Sequence, residues 1–202
     1  MRRARHLSVL AAILVAGACR TGSPGSPSSP VSPSPAVPIS RPLVLSGQSN
    51  ALLVAPSLSA MYPLAVLSVA ENGRPISGWA VTADRWKELL PLVQQPIQAF
   101  AWWQGESDRD NPNYLSDLRD LIARVRQANG NPQLLVIEVR VLDLPANAGV
   151  RAAQETFVQT DTNAVLISSD GFRLDSTDHL TDAGYQMVAR RILDVARSEK
   201  VR

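Results

Sequence analysis

The sequence predicts an α/β fold: a three-layer sandwich in which a parallel sheet of about five strands lies between helices. Three observations point to it. Beyond residue 41, short apolar runs of strand length alternate with longer stretches of helical period. Most of the apolar runs end in Gly or small polar residues, as strands do at tight connections. The chain has 202 residues, 45% of them hydrophobic, which is enough for one well-filled core.

The elements follow in order. Leu43-Val44-Leu45 forms a first strand ending at Ser46-Gly47. Ser49 then sits at a strand-to-helix turn. Ala65 to Val69 is a second strand, closed by Glu71-Asn72-Gly73, and Asp84 to Val93 is a short helix. Ile97 to Trp103 is the third strand. From Tyr114 to Ala128, Leu115, Leu118, Leu121, Ile122 and Val125 recur with the 3.6 period of an amphipathic helix. Asn111-Pro112-Asn113 starts that helix and Gly130 stops it. Leu134 to Val139 is a fourth strand, Ala148 to Gln159 a helix, and Ala164 to Ser168 a fifth strand. Thr181 to Glu199 is the last helix, with Thr181 as its N-cap.

The first 40 residues have a different character. Arg2, Arg3 and Arg5 precede an apolar run from Leu7 to Ala18, too short to span a bilayer and suited to a signal-peptide core. Residues 1–18 are therefore expected to be a signal peptide. Ala16-Gly17-Ala18-Cys19 resembles a bacterial lipobox, which makes Cys19 the expected lipid anchor, although Leu or Val is usual where Ala16 stands. The same small residues also fit ordinary secretory cleavage. Residues 19–40 form a Ser/Pro-rich tether, and seven of the fifteen prolines fall between Thr21 and Pro42. Extended as polyproline II, such a stretch could reach about 60 Å. The folded domain is expected over 41–202, as a monomer at the cell envelope or outside the cell.

The formal charge of +2 invites a nucleic-acid partner, but its location removes that reading. Cleavage takes Arg2, Arg3 and Arg5 from the 20 Lys and Arg, leaving 17 against 18 acidic side chains. One cysteine excludes an internal disulfide framework and a Cys-rich zinc site. His6 leaves with the signal peptide, so His179 is the only histidine of the mature chain. No metal or cofactor is expected, and a nucleotide site is disfavoured because no Gly-rich phosphate loop follows the first strand.

In open α/β sheets, functional groups gather at the C-terminal ends of strands. Here that selects Gly47-Gln48-Ser49-Asn50, Asn72-Gly73, Gln104-Gly105-Glu106 and the stretch from Asp170 to His179. Ser49, in a turn where backbone amides converge, can be a nucleophile or simply a helix cap. His179, flanked by Asp175 and Asp178, can be a general base or a histidine of a polar surface loop. Trp79, Trp102 and Trp103 are expected mainly in the core, with at most one facing a ligand. Asp108, Arg109 and Asp110 are expected as a solvated rim, and Arg190 and Arg191 as surface charge.

Taken together, Gly47-Gln48-Ser49-Asn50, Trp102-Trp103-Gln104-Gly105-Glu106-Ser107-Asp108, and His179-Leu180-Thr181 with Gly184-Tyr185 behind resemble the SGNH (GDSL-like) hydrolases. More narrowly they resemble the sialate O-acetylesterase and acetylxylan esterase branch. Gly73-Arg74-Pro75-Ile76-Ser77-Gly78-Trp79 is similar to a further segment of that branch. The resemblance implies a flavodoxin-like sheet and a serine esterase working through an acyl-enzyme. It implies Ser49 as nucleophile, His179 as base, and an oxyanion hole from the Ser49 and Gly73 backbone N–H groups and the Gln104 side-chain amide. Glu106 is expected to brace its loop. The family usually carries an Asp three residues before the His; here that residue is Ser176. Asp175 is therefore expected to orient His179, in preference to Asp178 or to a Ser-His dyad oriented by a backbone carbonyl. The implied substrate is an acetylated carbohydrate or other small ester, with the membrane met only through the N-terminal lipid. The alternatives are a lipase- or thioesterase-like hydrolase of the same fold and a non-catalytic carbohydrate-binding surface lipoprotein.

Overall fold

A computed structural model describes residues 39–176 and 178–198. The expected signal peptide, Cys19 and all but the end of the tether lie outside the described residues.

Five parallel strands form one sheet in the order β2-β1-β3-β4-β5. They are β1 (Leu43–Gly47), β2 (Val66–Ala70), β3 (Ala99–Trp103), β4 (Val136–Val139) and β5 (Ala164–Ile167). The helices are α1 (Ser49–Met61), α2 (Asp84–Val93), α3 (Tyr114–Asn129), α4 (Ala148–Thr160) and α5 (Asp182–Arg197). Each strand lies within two residues of its expected place. The least legible element is α1. Leu52 and Leu53 are exposed and Pro56 interrupts the helical pattern, so the apolar stripe of Ala51, Val54 and Leu58 is blurred.

The period of two along each strand builds the two interfaces of the sandwich. Leu43, Leu45, Ala99, Ala101 and Trp103 face α1 and α5, packing on Val54, Leu58, Val188 and Ile192. Val44, Phe100, Trp102 and Val136 face the other way, onto Leu89 of α2, Leu118 and Ile122 of α3, and Phe157 of α4. All of these side chains are buried. Helix ends follow their sequence signals. Gly130 closes α3 in the left-handed conformation with φ +68°, and the Thr181 hydroxyl caps α5 by accepting from the Gly184 N–H at 3.4 Å.

The strand order reverses between β1 and β3, and that switch point is where a crevice opens at the carboxyl ends of a flavodoxin-like sheet. The strand ends are drawn together there. Gly47 has φ +144°, and a Cβ on it would lie 2.0 Å from the Trp103 carbonyl oxygen. Only glycine permits this approach. The next residue fastens the same junction, with the Gln48 N–H donating to the Trp103 carbonyl at 3.0 Å.

Candidate active site

A cleft of ≈ 420 Å³ lies over the ends of β1 and β3, and Ser49, Gly73 and His179 all line it. Ser49 opens α1, where its amide belongs to the first turn and has no helical acceptor. Gly73, with φ +62°, presents its amide from the loop after β2. Neither amide is hydrogen-bonded to another described residue, so both are free to meet a developing oxyanion. His179 comes from a hairpin-like return. Leu174 and Leu180 bridge in antiparallel fashion, the Asp175 N–H donates to the His179 carbonyl at 3.0 Å, and the Thr181 N–H donates to the Arg173 carbonyl at 3.1 Å.

Gln104 is placed differently from expectation. It is fully buried beneath the cleft, and its amide N–H₂ donates to the Arg74 carbonyl at 3.2 Å and to the Asp108 carboxylate. Both amide hydrogens thus have acceptors, one of them the residue after Gly73, so Gln104 holds the Gly73 loop from below. Its donation to an oxyanion would require the amide to leave these partners.

The carboxylate expected on His179 is also absent from this arrangement. Asp175 is exposed and meets His179 only through backbone. Asp178 turns its carboxylate to Arg109 Nη2 at 2.8 Å. The group facing Nδ1 is the Ser176 hydroxyl, at 3.3 Å. Asp175 fails because the hairpin pairs its backbone with that of His179. Asp178 fails because its carboxylate is taken up by Arg109.

Two residues that hold the site, Asn50 and Gln48, stood in a sequence motif without a role of their own. Asn50 is fully buried and ties four segments. Its amide donates to Glu106 Oε1 at 2.7 Å and to the Asp178 carbonyl at 3.0 Å, and its oxygen accepts from the Tyr185 hydroxyl at 2.6 Å. Burial pushes the Tyr185 phenol up to about 12, so it stays a donor. Gln48 Oε1 accepts from the Gly105 and Ser107 amides at 3.4 and 3.3 Å. Glu106 is buried, with its carboxyl tied to α1 through Asn50. Burial raises its carboxyl above the ordinary range, while its own backbone N–H and Asn50 pull it back.

Asp108 and Arg109 are not a solvated rim. Asp108 is buried and accepts from the Ile76 N–H at 2.7 Å and from Asn111 at 3.0 Å, besides Gln104. Arg109 lines the cleft, with its Nε on Asn147 Oδ1 at 2.9 Å. Only Asp110 is exposed as expected. Trp79, Trp102 and Trp103 are all fully buried, and Trp79 meets Trp102 edge-on at 5.0 Å, so none faces the cleft. Arg191 lies half-buried over the Phe172 ring at 4.6 Å and donates to the Ser168 carbonyl, while Arg190 is exposed.

A parallel sheet in this order, with the two motif-bearing strand ends at its switch point, is the architecture of the SGNH hydrolases. Solved structures agree on the fold. A protein from Arabidopsis thaliana is 22% identical with a TM-score of 0.59, covering 73% of this chain and 66% of its own. A carbohydrate acetylesterase from Xanthomonas citri is 13% identical with a TM-score of 0.61, covering 80% of this chain and 56% of its own. A family two carbohydrate esterase from Clostridium thermocellum, in complex with cellohexaose, is 14% identical with a TM-score of 0.58, covering 77% and 63%. This chain therefore spans under two thirds of the length of the last two and about two thirds of the first. No curated protein matches the sequence. The family model described as carbohydrate esterase, sialic acid-specific acetylesterase matches residues 49–198, and the chain belongs to that family.

Proposed function

We propose that the protein is a serine esterase that removes O-acetyl groups from carbohydrate through an acyl-enzyme. The observation that carries this reading is the shared cleft of Ser49, Gly73 and His179. In the reaction, Ser49 Oγ attacks the acetyl carbonyl while His179 Nε2 takes its proton. The carbonyl oxygen becomes an oxyanion between the Ser49 and Gly73 amides. His179 returns the proton to the sugar oxygen, which leaves as an alcohol. Water, deprotonated by His179, then attacks the acetyl-serine carbonyl, and acetate leaves as the C–Oγ bond breaks and His179 returns that proton to Ser49 Oγ. Each oxyanion donor contributes about 10²–10³ in rate in comparable sites. A carboxylate third member is not part of the proposal, because neither Asp175 nor Asp178 meets the imidazole.

Family membership supports the ester chemistry, and the cellohexaose-bound Clostridium esterase supports a sugar as the alcohol side. The Leu7–Ala18 run, Cys19 and the Ser/Pro stretch support a place at the cell envelope. The test is hydrolysis of a p-nitrophenyl acyl series and of acetylated oligosaccharides. We expect acetate to be preferred over longer acyl groups and Ser49→Ala to lose at least about 10³-fold. Equal turnover by Ser49→Ala would refute the assignment.

A further inference from the structure

The orientation of His179 rests on the esterase reading above and extends it. An imidazole that takes a proton through Nε2 needs its proton held on Nδ1, and the group opposite Nδ1 fixes that tautomer. Asp178 cannot turn to this task while it is held at both ends. Its carboxylate receives Arg109 Nη2 at 2.8 Å and its carbonyl receives the Asn50 amide at 3.0 Å. Arg109 is itself fixed from behind by Asn147. Asp175 is committed to the hairpin through its backbone and has an exposed side chain. Ser176 Oγ lies 3.3 Å from Nδ1, at the position where the family usually carries its Asp.

We infer that Ser176 is the positioning residue of His179. Its hydroxyl oxygen accepts the Nδ1–H, which leaves the Nε2 lone pair for the Ser49 proton. A hydroxyl supplies the orienting half of a carboxylate's contribution without its charge. Among the described residues, the charges that bear on the imidazolium formed during attack then belong to more distant groups. These are Asp175 and Asp178 on the hairpin, Asp182 at the start of α5, and Glu106 across the cleft, with Arg109 opposing them.

The experiment compares Ser176→Ala, Ser176→Thr, Ser176→Asp, Asp175→Asn and Asp178→Asn in the full chain. The readouts are p-nitrophenyl acetate kinetics from pH 5 to 9 and the imidazole ¹⁵N signals, with His6→Gln separating the two histidines. Ser176→Ala should lower kcat about tenfold, the worth of roughly one hydrogen bond, with KM unchanged. Ser176→Thr should keep most of the rate. Ser176→Asp should raise kcat and move the acid limb of kcat/KM upward by about one pH unit or more, as an adjacent negative charge does. The neutral wild-type ring should be the Nδ1–H tautomer, with a mixture in Ser176→Ala. A Ser176→Ala protein within about twofold of wild type, or a greater loss from Asp175→Asn or Asp178→Asn, would overturn the inference. Absence of turnover above Ser49→Ala would instead refute the esterase reading. The tautomer would still decide Ser176, since an Nε2–H ring in wild type overturns its role.

Discussion

Asn50 shows how much of this site depends on a residue with no chemistry of its own. An Asn side chain offers two donor hydrogens and one acceptor oxygen, and in this fully buried position all are used. One hydrogen reaches the Glu106 carboxylate after β3, the other the Asp178 carbonyl beside His179, and the oxygen takes the Tyr185 hydroxyl from α5. Replacing Asn50 by Ala would leave Glu106 without its side-chain donor and Tyr185 without its acceptor at a buried position. Each orphaned group costs about 1–3 kcal/mol, so Asn50→Ala should lose roughly 2–6 kcal/mol in urea unfolding. It should also lower kcat, because the His179 hairpin is released. A loss under about 1 kcal/mol would mean that water replaces the amide.

Elements meet at a second clamp, on the far side of the sheet from β2. Asp170, just past β5, receives both Arg151 Nη1 and Nη2 from α4 at 3.0 Å, and Arg140 after β4. The Arg151 bonds chiefly hold its carboxyl down at about 2. An unfolded Asp titrates near ~3.9. The clamp therefore stabilises fully above about pH 4 and is lost as pH falls through about 2. Asp170→Asn should lower Tm at pH 6, and the gap from wild type should close between about pH 4 and 2. A gap that stays constant across this range would assign the stability to packing. The strands and most helices were legible because each carries its own period and stop signals, as Gly130 and Thr181 do for α3 and α5. The extent of α1 was not, since Leu52 and Leu53 face solvent and Pro56 breaks the pattern. The clamp was not legible either, because Arg151 and Asp170 meet only once α4 has packed on the sheet.

Across the whole molecule, the sequence exposed the groups that would do chemistry and hid those that hold them. Ser49, Gly73 and His179 stand in short motifs at strand ends; Gln48 and Asn50 share the first of these motifs and Asp108 ends another, yet their supporting roles depend on partners remote in sequence, Gly105, Glu106 and Ile76, as that of Gln154 depends on Gln104. Their pairing depends on strand register and helix packing, which no local pattern encodes. Glu138 is the extreme case. It lies on β4 opposite Trp102, fully buried on the α3/α4 side of the sheet. Gln154 of α4 donates to its Oε1 at 2.7 Å, and to the Gln104 carbonyl at 3.2 Å, which also receives the Tyr114 hydroxyl at 2.7 Å. Burial drives the Glu138 carboxyl well above the carboxylate range, with the Gln154 bond only partly opposing it. An unfolded Glu ionises near ~4.3. The folded chain keeps its proton beyond that point and the unfolded chain does not, so this residue's contribution to stability is greatest below about pH 4 and declines as pH rises. Glu138→Gln keeps an acceptor for Gln154 and carries no proton to lose. We expect its Tm at pH 7 to equal or exceed that of wild type, and its Tm to vary less between about pH 4 and 8. A variant less stable than wild type at pH 7 by more than about 2 kcal/mol would show that an ionised Glu138 supports the network under the cleft.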